Sequence, residues 1–174
     1  GTRNALAVDT ETTTYKRWTD PDYRIRLVQF ADADAAWCLD PHRHLGAIAD
    51  VLAGTRTLAF ANAPFDIGVL DAAGAATAAS LWPKAHDVLV MAHLLDSRGR
   101  RLGGCPIDLK SLAYFVVEGV HIKKLLYTKG GIGTEKKELR ARAKQHGYKR
   151  AGDEFRVLPI DDDAYLRYSG ADAV

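Results

Sequence analysis

The 174-residue chain carries 24 Lys and Arg against 22 Asp and Glu, a net charge of +2, and 47% of it is apolar. This composition excludes a disordered chain, and the length is that of a single domain with a sizeable core. No apolar run reaches the roughly eighteen residues of a membrane helix and no signal peptide opens the chain, so we expect a cytoplasmic protein. The two cysteines, Cys38 and Cys105, lack CxxC spacing, and we expect free thiols.

The first half of the chain predicts strands that alternate with helices. Apolar and alternating runs predict strands over 4–10, 25–31, 35–39 and 57–61. The second and third of these form a hairpin across 32–34. Helical spacing of the apolar residues predicts helices over 42–53 and from 62 to about 73, which end at Gly54 and Gly74.

The second half of the chain predicts helices. They are expected over 87–96, 108–117, about 134–146 and 161–174. Asp87 and Asp108 have the position of N-caps, and we expect Asp87 to be a cap or a buried structural acid rather than a metal ligand. Strands followed mainly by helices indicate an α/β or α+β domain with a mixed sheet.

The stretch ALAVDTETTT, residues 5–14, places two carboxylates at the end of the first strand. In a strand, side chains two residues apart point to the same face, so Asp9 and Glu11 project together. Adjacent carboxylates repel each other and resist desolvation unless a positive charge lies between them. The spacing therefore predicts a site for a divalent cation.

Two further pairs of polar side chains lie four residues apart on predicted helices. Asn62 and Asp66 share a face at the start of one helix, and Tyr168 and Asp172 share a face of the last one. Taken alone, each pair also fits a structural role. Asn62 could be an N-cap and Asp66 a first-turn acid, and Tyr168 could be a core aromatic with Asp172 a surface acid.

Taken in order, the three motifs DTET, NAPFD and YSGAD resemble those of the DEDD superfamily of 3′→5′ exonucleases. The Tyr-x-x-x-Asp form of the third motif is that of the tyrosine subclass. The segments HDVLVMAHLLD and IDLKSLA resemble the proofreading exonuclease domains of family A DNA polymerases, the polymerase I type. This resemblance covers nearly the whole chain. It implies a ribonuclease-H-like α/β fold, a mixed five-stranded sheet flanked by helices.

The resemblance also implies a catalytic site and its cofactors. Asp9, Glu11, Asp66 and Asp172 would hold two divalent cations, Mg²⁺ or Mn²⁺, which prefer oxygen ligands. Tyr168 would position the attacking water. The residues expected to contact the terminal nucleotides are Thr10, Thr12, Tyr15, Asn62 and Phe65. Tyr15 and Phe65 have an alternative role in core packing.

The same family implies the partners: the 3′ end of single-stranded DNA and a polymerase domain in cis, with no membrane. We expect residues 1–174 to be a single exonuclease domain excised from a longer polymerase, with a phage as a plausible source. Two alternatives stay open. One is an RNA-trimming or free-standing exonuclease of the RNase D kind, and the other is an inactive module that braces a polymerase or binds DNA.

A basic segment between residues 119 and 156 contains a helical pattern at about 134–146. It has two interpretations. It could be a solvated helix with its flanking loops, or a surface that contacts phosphates, since clustered Lys and Arg are the electrostatic footprint of nucleic-acid binding.

Overall fold

A computed structural model describes residues 5–14, 16, 19–55, 57–98, 109, 112, 132–148 and 154–173. The structure is built on a mixed sheet of five strands. They are β1 (Ala5–Thr12), β2 (Ile25–Ala31), β3 (Ala36–Leu39), β4 (Thr57–Phe60) and β5 (Ala85–Asp87), in the spatial order β3-β2-β1-β4-β5. The pairs β1–β2 and β2–β3 are antiparallel, and the pairs β1–β4 and β4–β5 are parallel. The fold is therefore the α/β architecture that the sequence predicts, with β1 at its centre.

Seven α-helices lie within the described residues. They are α1 (Pro41–Gly54), α2 (Ala63–Ala72), α3 (Ala78–Leu81), α4 (Val88–Leu95), α5 (Ile132–Gln145), α6 (Glu154–Val157) and α7 (Asp163–Ala173). A 3₁₀ turn over Trp82–Lys84 links α3 to β5. Within the described part of the chain, no helix has the length and apolar character needed to cross a membrane.

Different helices cover the two faces of the sheet. Because side chains alternate along each strand, successive residues of a strand pack against different helices. Val8, Val28 and Phe30 belong to one buried cluster together with residues of α1 and α2. Leu27 belongs to a second buried cluster, which contains residues of α5 and α7. By the same alternation, Asp9 and Glu11 lie on the side of α5 and α7.

One carboxylate caps two helices at once. Asp87 accepts hydrogen bonds from the backbone N–H groups of Leu89 and Val90 at the start of α4, and also from Ala63 N–H at the start of α2. This confirms the prediction that Asp87 is an N-cap. The alternative that Asn62 caps α2 with its side chain is wrong. Asn62 has a left-handed backbone with φ 76°, and its side chain makes no capping hydrogen bond.

Several boundaries differ from the sequence prediction. Strand β1 continues to Thr12 instead of ending at residue 10, because its partner β2 extends alongside it. The elements β5, α3 and α6 were not predicted, and each has only three or four residues, too few to show a periodicity. The helix predicted over 108–117 and Cys105 lie outside the described residues, except for the helical residues 109 and 112.

Candidate active site

The carboxylate pair lies at the carboxyl end of the central strand, where β1 and its parallel neighbour β4 both terminate. Asp9 is half-buried and pairs in register with Gln29 of β2, while Glu11 is only 8% exposed and pairs with Leu27. The register shifts directly after Glu11, since Thr12 pairs with Ile25 and one residue of β2 is left over. Such a bulge bends the strand and re-aims the side chains beside it.

The third carboxylate reaches the same strand end from the other side of the sheet. Asp66 lies in the first turn of α2 and is 2% exposed. The Thr10 hydroxyl donates a hydrogen bond to Asp66 Oδ1 at 2.6 Å. Burial raises the pKa of Asp66 well above its ordinary value, the negative charge of Asp9 raises it further, and the hydrogen bond from Thr10 opposes both effects. The structure therefore brings Asp66 within electrostatic reach of Asp9.

The last helix supplies the third motif. Helix α7 packs against β1, β2 and β3, and Tyr168 on it is 4% exposed. The Tyr168 ring lies 5.8 Å from that of Phe155, centroid to centroid. Asp172 lies one turn further along α7, and its side chain is outside the described residues. The backbone thus places Tyr168 and Asp172 on the helix that covers the Asp9 and Glu11 face.

The negative charges of Asp9 and Glu11 also raise the pKa of two residues that were not predicted to belong to the site. Tyr165 is fully buried, and burial followed by the negative charge of Glu11 raises the pKa of its hydroxyl. Burial, Glu11 and Asp9 together raise the pKa of the half-buried Cys38 thiol to about 11. Tyr165 could have been found from the sequence, because it lies three residues before Tyr168 and so shares its helix face.

The residues predicted to contact substrate have varied surroundings. The hydroxyl of Thr12 donates to the backbone carbonyl of Thr14 at 2.9 Å, and Phe65 packs in part against the core on the α1 and α2 side. Asn62 stands at the junction of β4 and α2, at the same end of the sheet as the carboxylates. Tyr15 lies outside the described residues.

The donor set has the chemistry of a site for hard divalent cations. The carboxylates of Asp9, Glu11 and Asp66 offer only oxygen. Burial, followed by the negative charge of Asp9, raises the pKa of Asp66. Among the side chains that the structure describes, no three Asp, Glu, His or Cys residues are close enough together to form a metal site. The described residues thus contribute oxygen donors of the kind that such cations prefer.

A mixed five-stranded sheet with acidic side chains at the carboxyl end of its central strand is the arrangement of the ribonuclease-H-like exonucleases. Comparison with known proteins agrees: a model of the 3′–5′ exonuclease family matches residues 2–173, and the chain belongs to this family. It is a 3′→5′ exonuclease, a hydrolase that acts on phosphodiester bonds. Enzymes of this family generally use divalent metal ions.

The chain is also similar to phage DNA polymerases. It is 30% identical over 177 residues to a DNA polymerase of Mycobacterium phage L5 and 32% identical over 177 residues to one of Mycobacterium phage D29. These alignments cover 98% and 99% of this chain and 27% of each relative. The chain thus spans about a quarter of the length of these relatives.

The hydrogen bond from Thr10 to Asp66 gives a first prediction. In Thr10→Val the side chain keeps its shape but Asp66 loses its donor, so the carboxylate is left less well oriented and harder to ionise. We expect the cleavage rate on single-stranded DNA to fall by about 10- to 100-fold, the usual effect of removing a group that orients a metal ligand. Thr10→Ser, which keeps the hydroxyl, serves as the control. Equal rates for Thr10→Val and Thr10→Ser would contradict the prediction.

Proposed function

We propose that the chain is the proofreading 3′→5′ exonuclease domain of a family A DNA polymerase, and that it removes nucleotides from the 3′ end of DNA. The observation that carries the proposal is that Asp9 and Glu11 share one face at the end of the central strand, with Asp66 within electrostatic reach of Asp9, in a chain that matches the exonuclease family over residues 2–173. The similarity to phage polymerases supports a polymerase domain in cis and a phage source.

In this proposal the four carboxylates of the motifs, Asp9, Glu11, Asp66 and Asp172, hold two divalent cations, Mg²⁺ or Mn²⁺. When bound, such ions activate a water for attack and stabilise the leaving oxygen of the phosphodiester. The protein's own contribution is orientation. Strand pairing with β2 fixes Asp9 and Glu11, and the hydroxyl of Thr10 fixes Asp66.

Tyr168 orients the attacking water with its hydroxyl. A tyrosine hydroxyl ordinarily ionises near pH 10, so at neutral pH it acts as a hydrogen-bonding group and not as a strong base. The ring packs near Phe155 in the buried cluster that also contains Leu139, which restricts its movement. A nearly buried ring with fixed neighbours is well suited to place one water molecule.

The substrate in this proposal is the 3′ end of single-stranded DNA. Thr12, Tyr15, Asn62 and Phe65, with the backbone at Thr10, would line the site of the terminal nucleotides. Asn62 and Phe65 start the helix that carries Asp66, so they lie beside that carboxylate in the chain. We further propose that the enzyme works in the cytoplasm of a phage-infected bacterium, where the polymerase meets its template.

The choice between DNA and RNA is tested by cleavage of matched 5′-labelled oligonucleotides. We expect single-stranded DNA to be shortened at least about tenfold faster than RNA of the same sequence, and a mismatched primer end to be removed faster than a paired one. Faster cleavage of RNA would favour an enzyme of the RNase D kind. Binding of DNA with cleavage of neither polymer would indicate an inactive module that braces a polymerase.

A further inference from the structure

We propose that Lys136 is a substrate-binding residue of the active site, whose ammonium group contacts a phosphate of the DNA strand beside Tyr168. This inference rests on the proposed function, since it names a group that would hold the substrate of that site. It also gives a role to one residue of the basic segment, whose two interpretations the sequence left open.

The first argument is the position of helix α5 in the fold. Its apolar residues Leu139 and Ala143 are buried in the cluster that contains Tyr165 and Tyr168. Helix α5 is therefore packed along α7, the helix that carries the third motif, and is not a solvated helix away from the site. Residues on the buried face of α5 approach the catalytic tyrosine.

The second argument is that Lys136 lies on this buried face. It precedes Leu139 by three residues and Ala143 by seven, the spacing of one side of a helix. Lys136 is half-buried, and its Nζ lies 5.8 Å from the centroid of the Tyr168 ring. A lysine can bury its alkyl stem in this way while its charged end stays at the edge of a cleft.

The third argument comes from the other basic residues of the same helix. Arg140 pairs with Glu154 at 3.0 Å and Arg142 approaches Asp162 at 3.5 Å, so both hold neighbouring elements together. Lys137 and Lys144 are exposed. Among the five basic residues of α5, Lys136 is thus the one that combines partial burial with contact to Tyr168.

The chemistry of the reaction favours a cation at this place. A phosphodiester under attack carries negative charge on its oxygens, and a fixed ammonium group stabilises that charge as it grows. In the proposed site the divalent cations offset the charge of the carboxylates, and the ammonium group of Lys136 adds a further positive charge that attracts the phosphate. Lysine is a frequent phosphate ligand because its charge is compact and its stem is flexible.

The test compares Lys136→Ala, Lys136→Arg and the matched control Lys137→Ala in two assays. In single-turnover cleavage of single-stranded DNA at saturating Mg²⁺, we expect Lys136→Ala to be about 100-fold slower than the unmodified chain. We expect Lys136→Arg, which keeps the charge, to cleave at least about tenfold faster than Lys136→Ala. Lys137→Ala should cleave at the unmodified rate.

The second assay measures DNA affinity in EDTA at several NaCl concentrations, with each change made in an Asp9→Ala background. Loss of one phosphate contact should reduce the slope of log K against log salt by about 0.7 for Lys136→Ala and leave it unchanged for Lys137→Ala. This assay does not need cleavage. It therefore tests the phosphate contact of Lys136 even if the unmodified chain proves inactive and the proposed function fails.

Two results would overturn the assignment. One is equal behaviour of Lys136→Ala and Lys137→Ala in both assays. The other is slower cleavage by Lys136→Ala with an unchanged salt slope, which would mean that Lys136 only supports the Tyr168 ring. Thermal unfolding of each variant shows whether a lower rate merely reflects a smaller folded fraction.

Discussion

Asp9→Ala should reduce cleavage of single-stranded DNA by at least about 10³-fold while the chain stays folded. Asp9 is half-buried at the end of the central strand, next to Glu11 on one face and within electrostatic reach of Asp66. In the proposed site Asp9 is a ligand of the divalent cations, so we expect its loss to remove several kcal/mol of charge stabilisation from a metal-assisted hydrolysis. Initial rates on a 5′-labelled oligonucleotide at saturating Mg²⁺ measure the effect.

The matched control is Asp50→Ala, which removes an exposed carboxylate from α1. It should cleave at the unmodified rate. Binding of single-stranded DNA by Asp9→Ala in EDTA should be about as tight as that of the unmodified chain, because the change removes no positive charge. Normal cleavage by Asp9→Ala would show that the carboxylate pair has been given the wrong role.

Asp66→Asn should slow cleavage and stabilise the folded chain, and both effects should be large. It should lower the cleavage rate by about 100-fold or more, because a neutral amide is a poorer cation ligand than a carboxylate. In EDTA it should raise the melting temperature at pH 7. Asp66 is 2% exposed and its pKa is raised by burial and by Asp9, so its ionised form destabilises the folded chain. Each kcal/mol of relief is worth about 2–4 °C in a domain of this size.

The pH dependence of this stability gain has a definite sign. Because the pKa of Asp66 is higher in the folded chain than its ordinary value of 3.8, the folded state holds the proton more tightly than the unfolded state does. Stability of the unmodified chain therefore falls as the pH rises from about 4 through the folded pKa, and Asp66→Asn lacks this loss. Thermal melts in EDTA from pH 4 to pH 8 should show two curves that diverge with rising pH.

Asp50→Asn, an amide substitution on the exposed face of α1, is the control for the stability measurement. It should leave both the melting temperature and its pH dependence nearly unchanged, since surface substitutions usually alter stability by less than about 0.5 kcal/mol. A melting temperature of Asp66→Asn that stays at or below that of the unmodified chain across the pH range would refute the electrostatic description of the site.

The sequence predicted the strands well where a long partner enforces the pattern. Strand β2 matches its predicted bounds because apolar residues occur on both of its faces along its length, and both faces of the sheet are covered. Strand β5 was missed because three residues carry no period, although its last residue, Asp87, was correctly expected to be a cap. The side-chain cap considered for Asn62 was wrong because an Asn before a helix is compatible with either a side-chain cap or a left-handed turn.

The site was predictable from motifs in part. The pairs Asp9 with Glu11 and Tyr168 with Asp172 follow from strand and helix periods, which are local. The hydrogen bond from Thr10 to Asp66 joins a strand residue to a helix residue 56 positions away, so no local sequence pattern predicts it. The contact of Lys136 with Tyr168 likewise depends on how α5 packs on α7.

Product analysis with DNA labelled at either end tests the central claim that these carboxylates form a metal-dependent 3′→5′ exonuclease site. With Mg²⁺, a 5′-labelled strand should give a ladder that shortens one nucleotide at a time, while a 3′-labelled strand should release labelled mononucleotide from the first turnover. EDTA should stop both reactions. Internal fragments, release of mononucleotides from the 5′ end, or undiminished cleavage in EDTA would contradict the account.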